Sequence, residues 1–427
     1  MGTIKFYTLG CKVNQYETQL IREQFIQAGF KELGDGQPAD LYIINTCTVT
    51  HRADSASLNF IRRAKRENPK AKIIVTGCLA ELDADKIKNA CALSLIVKNK
   101  DKANICKDLS SFNSPTHEVT NSQTINGISY FKGRTRAFLK IQDGCDNFCS
   151  YCKVPLVRGR SRSKLVDEIV EEAKNLVKNG FKEIVLCGIC LGAYGKDLNH
   201  QISLVDVIGA LEKLAGLLRI RLSSIEAADV SDGLIDKMAE SKNLCRHLHI
   251  PIQSGDGEIL KKMNRRYCRD DYLNLIQRIK SLIPEIAITT DVLVGFPTET
   301  ENNFQNTVGL IEEILPLKVH IFPYSRREGT PAASSFKDEI SPIIIKERIQ
   351  RLKNLSHSCA TLYKKEFLNK DMDVLIEERL KDNPDFWEGY TDNYIRVLVK
   401  SSHNLKNQLI NVSLKKIVKD SVLADLY

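Results

Sequence analysis

Nowhere in its 427 residues does the sequence hold the roughly 18 uninterrupted apolar residues that would span a bilayer. Its opening, MGTIKFYTLG, lacks the apolar segment behind a basic stretch that marks an export signal, so export is not expected. A myristoylation signal is missing too, because its sixth position needs Ser or Thr and here holds Phe6. The eight histidines form no HExxH or comparable pair, and His249 and His320, set in apolar strands, read as core or rim residues. What remains is an ordinary soluble composition, 43% apolar and 27% charged, with a length that calls for two or three domains. A cytoplasmic protein with no membrane partner is the expectation.

Cysteine, by contrast, is plentiful. Thirteen cysteines in a chain without an export signal are better read as thiols or metal ligands than as disulfides. The formal net charge of +9 is concentrated rather than spread. Residues 130–165 hold nine Lys and Arg against Asp143 and Asp146, a local +7 around the densest cysteine cluster.

Residues 1–106 alternate short β-branched runs with helix-length amphipathic stretches, the pattern of a parallel sheet with helical crossovers. Strands are expected at Ile4–Leu9, Leu41–Asn45, Ile73–Thr76 and Leu93–Val97. The first three end on Gly10-Cys11, Thr46-Cys47 and Gly77-Cys78. Each of these cysteines therefore stands at a strand's carboxyl end, the edge along which open parallel sheets bind ligands. Three thiols distant in sequence are expected to converge.

Residues 107–129, rich in Ser, Asn and Thr and without a periodic apolar face, read as a linker. Over 130–340 the alternation repeats six times, with strands near 137–141, 183–187, 219–223, 247–250, 286–294 and 318–322. That predicts a partial (β/α)6 barrel whose chemistry lies at the carboxyl ends of its strands. A connecting helix over 341–361 leads to residues 362–427, whose short alternating runs read as a small β-barrel. The fold class is α/β with a C-terminal β domain.

The segment QDGCDNFCSYCKVP sets Cys145, Cys149 and Cys152 on one loop directly after the first strand of that barrel. Three thiolates can hold three irons of a 4Fe-4S cluster and leave the fourth open to substrate or cofactor. The alternative, a zinc knuckle or a Cys149/Cys152 redox pair, is disfavoured because no fourth ligand lies close by in sequence. Cys187 and Cys190, at another strand end, read either as a redox pair or as two semi-buried thiols. Cys91, Cys106, Cys245, Cys268 and Cys359 show no ligand spacing and read as structural.

The loop resembles that of the radical S-adenosylmethionine enzymes, and its surroundings resemble one branch of them, the methylthiotransferases. The likeness runs through TLGCKVNQYET, NTCTVT, CDNFCSYC, VPLVRGRSRS, LGAYG, RLSSIE, HIPIQSGD, LVGFPTET and FPYSRREGTPAA. GYTDNYIRV in the tail is similar to the RNA-binding barrel called TRAM. The resemblance implies two 4Fe-4S clusters. The one on Cys145, Cys149 and Cys152 would chelate S-adenosylmethionine and cleave it to a hydrogen-abstracting 5′-deoxyadenosyl radical. The other, on Cys11, Cys47 and Cys78, would offer an open iron to a sulfur species that a second S-adenosylmethionine methylates. It also implies cofactor contacts at Tyr151, Glu226, Gln253 and Ser254, and at Gly188, where the flanking Cys187 and Cys190 depart from the family's glycine motif. The reductant and the sulfur source have no signature in the sequence.

The basic block surrounds the loop, so a polyanion is expected there, with Arg134, Arg136, Arg158, Arg160 and Arg162 as candidate RNA contacts. Residues 361–427 hold eleven Lys and Arg against eleven Asp and Glu, so bulk attraction cannot be the grip of the β-barrel. Phe386, Trp387, Tyr390 and Tyr394 are either a base-stacking surface or barrel core, and alternation does not decide between them. Within the family, LGCKVNQYET, NTCTVT and LGAYG are most similar to the branch acting on the tRNA anticodon stem-loop, at threonylcarbamoyl-adenosine, with methylthiolation at C2 of the adenine. Sister branches act on isopentenyl-adenosine or on a ribosomal-protein aspartate and carry GCQMN-like or LGCPKN-like first motifs, which Lys12-Val13-Asn14 does not match. A rival of another class, a non-catalytic iron-sulfur RNA-binding protein, is disfavoured because structural clusters usually have four protein ligands.

Overall fold

The computed structural model describes residues 2–34, 36–91, 94–108, 127–199, 202–337 and 339–426. Most of the expected linker, 109–126, lies outside the described residues, while beyond it Ile128 and Phe131 pack into the central core.

In the N-terminal region, five parallel strands form a sheet in the order β2-β1-β3-β4-β5: β1 (Thr3–Thr8), β2 (Lys31–Glu32), β3 (Leu41–Thr46), β4 (Lys72–Gly77) and β5 (Ser94–Ile96). Strand β3 reads LYIINT with no exposed position, as expected of the central strand of a sheet covered on both faces. Helices Lys12–Gln27 and His51–Glu67 cover those faces, the second opened by Thr50, whose hydroxyl accepts from the Ala53 N–H. The short β2 was not expected, because two polar residues carry no apolar pattern; its pairing with β1 alone defines it.

The central region contributes β6 (Arg136–Lys140), a small antiparallel pair β7 (Gln142–Asp143) and β8 (Arg162–Ser163), then β9 (Glu183–Cys187), β10 (Arg219–Leu222), β11 (His247–His249), β12 (Ala287–Val294) and β13 (Lys318–Pro323). Strands β6-β9-β10 and β11-β12-β13 are parallel three-stranded sheets, linked by parallel bridges from Ile220 to Leu244 and from Ser224 to His249. The six strands thus make one curved parallel row, open between its edges β6 and β13. The N-terminal region spans that opening. Lys140, at the end of β6, binds Glu17 at 3.0 Å, and Arg327, just beyond β13, binds Asp54 at 2.7 Å and the Thr48 carbonyl at 3.0 Å.

Helix Pro342–Lys365 leads into a closed barrel of β14 (Asp371–Arg379), β15 (Phe386–Thr391), β16 (Arg396–Lys400), β17 (Leu409–Val418) and β18 (Ser421–Leu426). It plugs the amino-terminal mouth of the central strands. Arg219, the first residue of β10, donates to the carbonyls of Tyr390 (2.9 Å) and Asp373 (2.7 Å). Arg221 donates to those of Asp392 (2.8 Å) and Thr391 (3.1 Å) and holds the fully buried Glu183 at 2.6 Å.

This docking corrects one sequence expectation and decides one alternative left open. Arg136 is not free for RNA: it pairs with Glu377, and its guanidinium stacks over Tyr390 (4.8 Å) and Tyr394 (5.5 Å). Tyr394 in turn stacks on His247 at 4.4 Å and lies under Arg221, so Tyr390 and Tyr394 belong to the seam between the domains rather than to a base-stacking face. Trp387, 5% exposed, is barrel core.

The +7 block shrinks as well, through partners in the N-terminal and central regions. Lys132 pairs with Glu32, Lys140 and Arg158 with Glu17, and Lys164 with Glu172, carboxylates that lie outside the counted segment. Arg158, 4% exposed, is likewise removed from the RNA-facing set. Arg134, Arg160 and Arg162 remain exposed.

Candidate active site

Three strand ends deliver the first cysteine set. Cys11 precedes helix Lys12–Gln27, Cys47 follows β3, and Cys78 follows β4. Gly10 turns at φ 95°, and a Cβ there would lie 3.1 Å from Cys47 Sγ, so glycine is what lets this turn close on that thiol. Burial together with the neighbouring Cys78 and Cys11 pushes the Cys47 thiol up to about 11. Burial also raises Cys78, against the opposing pull of Arg158 and Lys102. Convergence of the three is therefore a property of the fold.

The second set sits between β7 and β8. Its loop is pinned by Cys145 N–H to the Gly159 carbonyl (3.1 Å), Ser150 N–H to the Met263 carbonyl (3.0 Å) and Asn264 Nδ2 to the Phe148 carbonyl (3.0 Å). Phe148 takes a left-handed φ of 48° with its ring 49% exposed, a conformation a bulky residue holds only when the surroundings impose it. Arg265 donates to Cys149 Sγ at 3.2 Å, and the Val154 N–H to Cys152 Sγ at 3.4 Å. Burial pushes Cys152 up to about 12, whereas a hydrogen bond from the Cys190 thiol draws Cys145 down to about 7.

Cys190 is thus a neighbour of the loop rather than a distant thiol, accepting from Asn147 Nδ2 (3.6 Å) and with its sulfur 3.5 Å from Asp229 Oδ2. Cys187 is 1% exposed at the end of β9, an interior thiol.

A cavity of about 420 Å³ joins the two sets. Its walls include Cys11 and Cys78 from the first, Tyr151 and Cys152 from the second, and Gln253, Asp291, Leu293, Phe322 and Tyr324 from the central strands. A larger cavity, about 1100 Å³, lies between helices Lys12–Gln27 and Val166–Lys178; it touches no cysteine and is not where this chemistry sits.

Of the residues expected at the cofactor, Tyr151 and Gln253 line the 420 Å³ cavity and the others do not. Ser254 is 1% exposed and spent on Asp256 N–H and Thr307. Gly188 leaves room for Gln142, whose Oε1 would be 2.7 Å from an added Cβ. Glu226 faces the cysteine loop from the other side, bonded to Asn147 and near Arg265 (3.5 Å), with Oε1 buried and without a hydrogen-bond donor.

Sequence reasoning missed Arg265, a cation in a run of basic residues, and Asp291, a single acid in the apolar strand AITTDVLV. It set aside His249 and His320, which the structure brings together with Asp291.

The donor sets fit iron-sulfur clusters. Each offers three thiols with cations close by, Arg158 and Lys102 at Cys78 and Arg265 at Cys149, which favours the thiolate form a metal requires. Glu226 Oε1 accepts no hydrogen bond and has only the longer ion pairs to Arg265 (3.5 Å) and Arg266 (3.7 Å), which leaves it able to take the ammonium of an amino-acid-bearing cofactor.

A model of the Radical SAM superfamily matches residues 139–311, and one described as uncharacterized protein family UPF0004 matches residues 3–97. Among solved structures, the radical S-adenosylmethionine methyltransferase TsrM from Kitasatospora setae superposes with a TM-score of 0.56 at 13% identity, covering 78% of this chain and 76% of that one. The cobalamin-dependent radical enzyme OxsB gives 0.53 at 12%, covering 84% and 56%. At such identities the likeness is one of fold. The central region is a radical S-adenosylmethionine domain, a class that works with S-adenosylmethionine and a 4Fe-4S cluster.

Relatives along the whole chain go further. Proteins named threonylcarbamoyladenosine tRNA methylthiotransferase MtaB, from Bacillus subtilis (strain 168) and Thermotoga maritima, are each 38% identical. The alignments cover 97% and 93% of this chain, and 94% and 91% of theirs. A tRNA-2-methylthio-N(6)-dimethylallyladenosine synthase from Geobacillus thermodenitrificans is 35% identical over 96% of this chain and 80% of that one. The chain belongs to the radical S-adenosylmethionine methylthiotransferase family.

Proposed function

We propose that the protein adds a methylthio group to the adenine of threonylcarbamoyl-adenosine, next to the anticodon of tRNA, using S-adenosylmethionine and two 4Fe-4S clusters. The observation that carries this reading is the single cavity walled by Cys11 and Cys78 on one side and Cys152 on the other. Activating a carbon and delivering sulfur to that same carbon requires both centres to open on one space.

Cys145, Cys149 and Cys152 would hold one cluster, and Cys11, Cys47 and Cys78 the other. When bound, these groups supply a hydrogen-abstracting radical from S-adenosylmethionine and an open iron for a sulfur donor. The chain's own side chains prepare the space. Arg265 donates to Cys149, Arg158 and Lys102 set positive charge beside Cys78, and Glu226 Oε1, which accepts no hydrogen bond within the chain, would accept from the cofactor's ammonium. Val154, Val157, Leu293 and Phe322 line the cavity with apolar surface that keeps water from a reactive intermediate. Arg134, Arg160 and Arg162 are the exposed cations that tRNA phosphates would meet. A reductant and a sulfur source would come from outside the chain.

Two variants test the division of labour. With reductant, Cys149→Ala should yield no 5′-deoxyadenosine, whereas Cys47→Ala should still form it and lose methylthiolation, each carrying about four irons where the wild type carries about eight. Loss of cofactor cleavage in folded Cys47→Ala would contradict two independent centres. Substrate identity is read by mass spectrometry of tRNA nucleosides from cells lacking and then regaining the gene. A methylthio-threonylcarbamoyl-adenosine peak that does not respond would redirect the assignment to the dimethylallyl nucleoside.

A further inference from the structure

Asp291, in the wall of the cavity, is the outermost member of a row of polar side chains that runs back along the central strands. Side chains two apart on a strand share a face, so His247 and His249 on β11 point the same way, as do Thr289 and Asp291 on β12. In register, His249 stands beside Thr289 and Asp291 beside His320 of β13. Thr289 Oγ1 bridges His247 Nε2 (3.0 Å) and His249 Nδ1 (2.9 Å), and His249 Nε2 lies 3.1 Å from Asp291 Oδ1. Both ring nitrogens of His249 are therefore engaged, and its work is to fix Asp291, which lines the cavity.

Two groups beside this chain have no partner of their own. The His320 ring lies 5.6 Å from that of His249, and its side chain makes no hydrogen bond among the described residues. Lys12, directly after Cys11, is exposed and makes no ion pair or hydrogen bond among the described residues. It opens helix Lys12–Gln27 immediately after Cys11, a wall of the cavity, so its long side chain starts at the cavity's edge.

We propose that Lys12, His320 and Asp291 read the substituent on the substrate adenosine, taking the carboxylate-bearing threonylcarbamoyl group and rejecting an apolar alkenyl group. This rests on the function proposed above and names the residues that set its specificity. The ammonium of Lys12 complements the threonyl carboxylate. The open imidazole of His320 and the fixed carboxylate of Asp291 complement its hydroxyl and urea groups. A dimethylallyl chain has no polar atom, so binding it would strip water from three polar groups and return no hydrogen bond. Sites built to hydrogen-bond a substrate reject analogues lacking those groups far more strongly than apolar pockets reject polar ones.

The test uses the full cluster-loaded chain and three anticodon stem-loops, bearing threonylcarbamoyl-adenosine, its methyl ester or dimethylallyl-adenosine, with affinity read by fluorescence anisotropy. Wild type should bind the acid about ten-fold or more tighter than the ester, the yield of one charge-assisted hydrogen bond. In Lys12→Gln that preference should vanish. His320→Leu should bind the acid about ten-fold more weakly and the dimethylallyl RNA no worse than wild type does. Equal wild-type affinity for acid and ester, or an undiminished preference in Lys12→Gln of normal iron content, overturns the proposal. Should Lys12→Gln lose its clusters, His320→Leu decides, and unchanged acid binding there overturns it. Product analysis with wild type keeps the two readings apart. Methylthiolation of the threonylcarbamoyl RNA without the acid preference removes only this inference, whereas methylthiolation of the dimethylallyl RNA alone removes the proposed function.

Discussion

Arg158 offers the sharpest test of how the N-terminal and central regions are joined. From the sequence it is a candidate RNA contact; in the structure it is 4% exposed and donates to Asn14 and to Glu17 (3.1 Å to Oε2). Glu17 also receives Lys102 at 2.6 Å and Lys140 at 3.0 Å. Burial would raise the Glu17 carboxyl, yet these three cations hold it well below the ordinary carboxylate value. With Asp143, which also pairs with the exposed Arg162 at 3.8 Å, the network counts four cations to two carboxylates, and the positive charge of Arg158 and Lys102 lies against Cys78. Arg158→Met removes hydrogen bonds to Asn14, Glu17 and Asp143 but leaves Glu17 with both lysines, so the cost falls below the 3–5 kcal/mol typical of stranding a buried charge. About 2–3 kcal/mol is expected. With a urea m-value of about 2–3 kcal/mol per molar, the midpoint should fall by about 1 M. Hydrogen exchange along a urea series, followed in peptides covering β1 and β6, reads this seam directly. Iron at the first centre should fall as well, because Cys78 loses a compensating charge. A midpoint within about 0.3 M of wild type, together with a ten-fold or greater loss of RNA affinity, would refute the argument and return Arg158 to the RNA surface.

The other expectations are shorter. Arg221→Met should undock the C-terminal barrel at a cost of about 3 kcal/mol, since Glu183 keeps only the longer pairs to Arg136 (3.9 Å) and Arg219 (3.8 Å). Trp387, the single tryptophan and part of the barrel core, reports it by fluorescence, and an unmoved transition would contradict the docking role. Arg160→Ala and Arg162→Ala, both at exposed cations, should each lower the salt slope of RNA binding by about one and leave the melting temperature unchanged; no change in slope would place the RNA elsewhere. Burial would raise Glu67, but Arg63, Lys5 and Tyr42 hold it down at about 2 from an ordinary 4.5. Its contribution is therefore present above pH 4.5 and lost as pH falls toward 2. Glu67→Gln should cost on the order of 1 kcal/mol at neutral pH after solvent screening. In urea titrations of iron-free protein the gap to wild type should close below about pH 4, and a gap that widened there would reverse the sign argued here.

Local pattern is enough to specify much of this protein. Runs such as LYIINT and KIIVTG have the β-branched continuity of buried parallel strands, and the turn chemistry that follows them puts Cys11, Cys47 and Cys78 at strand ends. The spacing of Cys145, Cys149 and Cys152 is local as well, since one loop holds all three. Only the tertiary structure decided which charges and rings are free. Glu17, Glu32, Glu172 and Glu377 reach the basic block from distant elements, so a count along residues 130–165 could not see that Arg136, Arg158 and Lys140 are already paired. Tyr390 and Tyr394 alternate as surface residues do, and the barrel's docking turns them into a seam with Arg136 and Arg221. The same holds for His249, Asp291 and His320: each stands on a different strand, and only parallel pairing in register makes neighbours of them. Sequence records what each strand carries to its end, while the order and register of the strands fix which of those groups share one space.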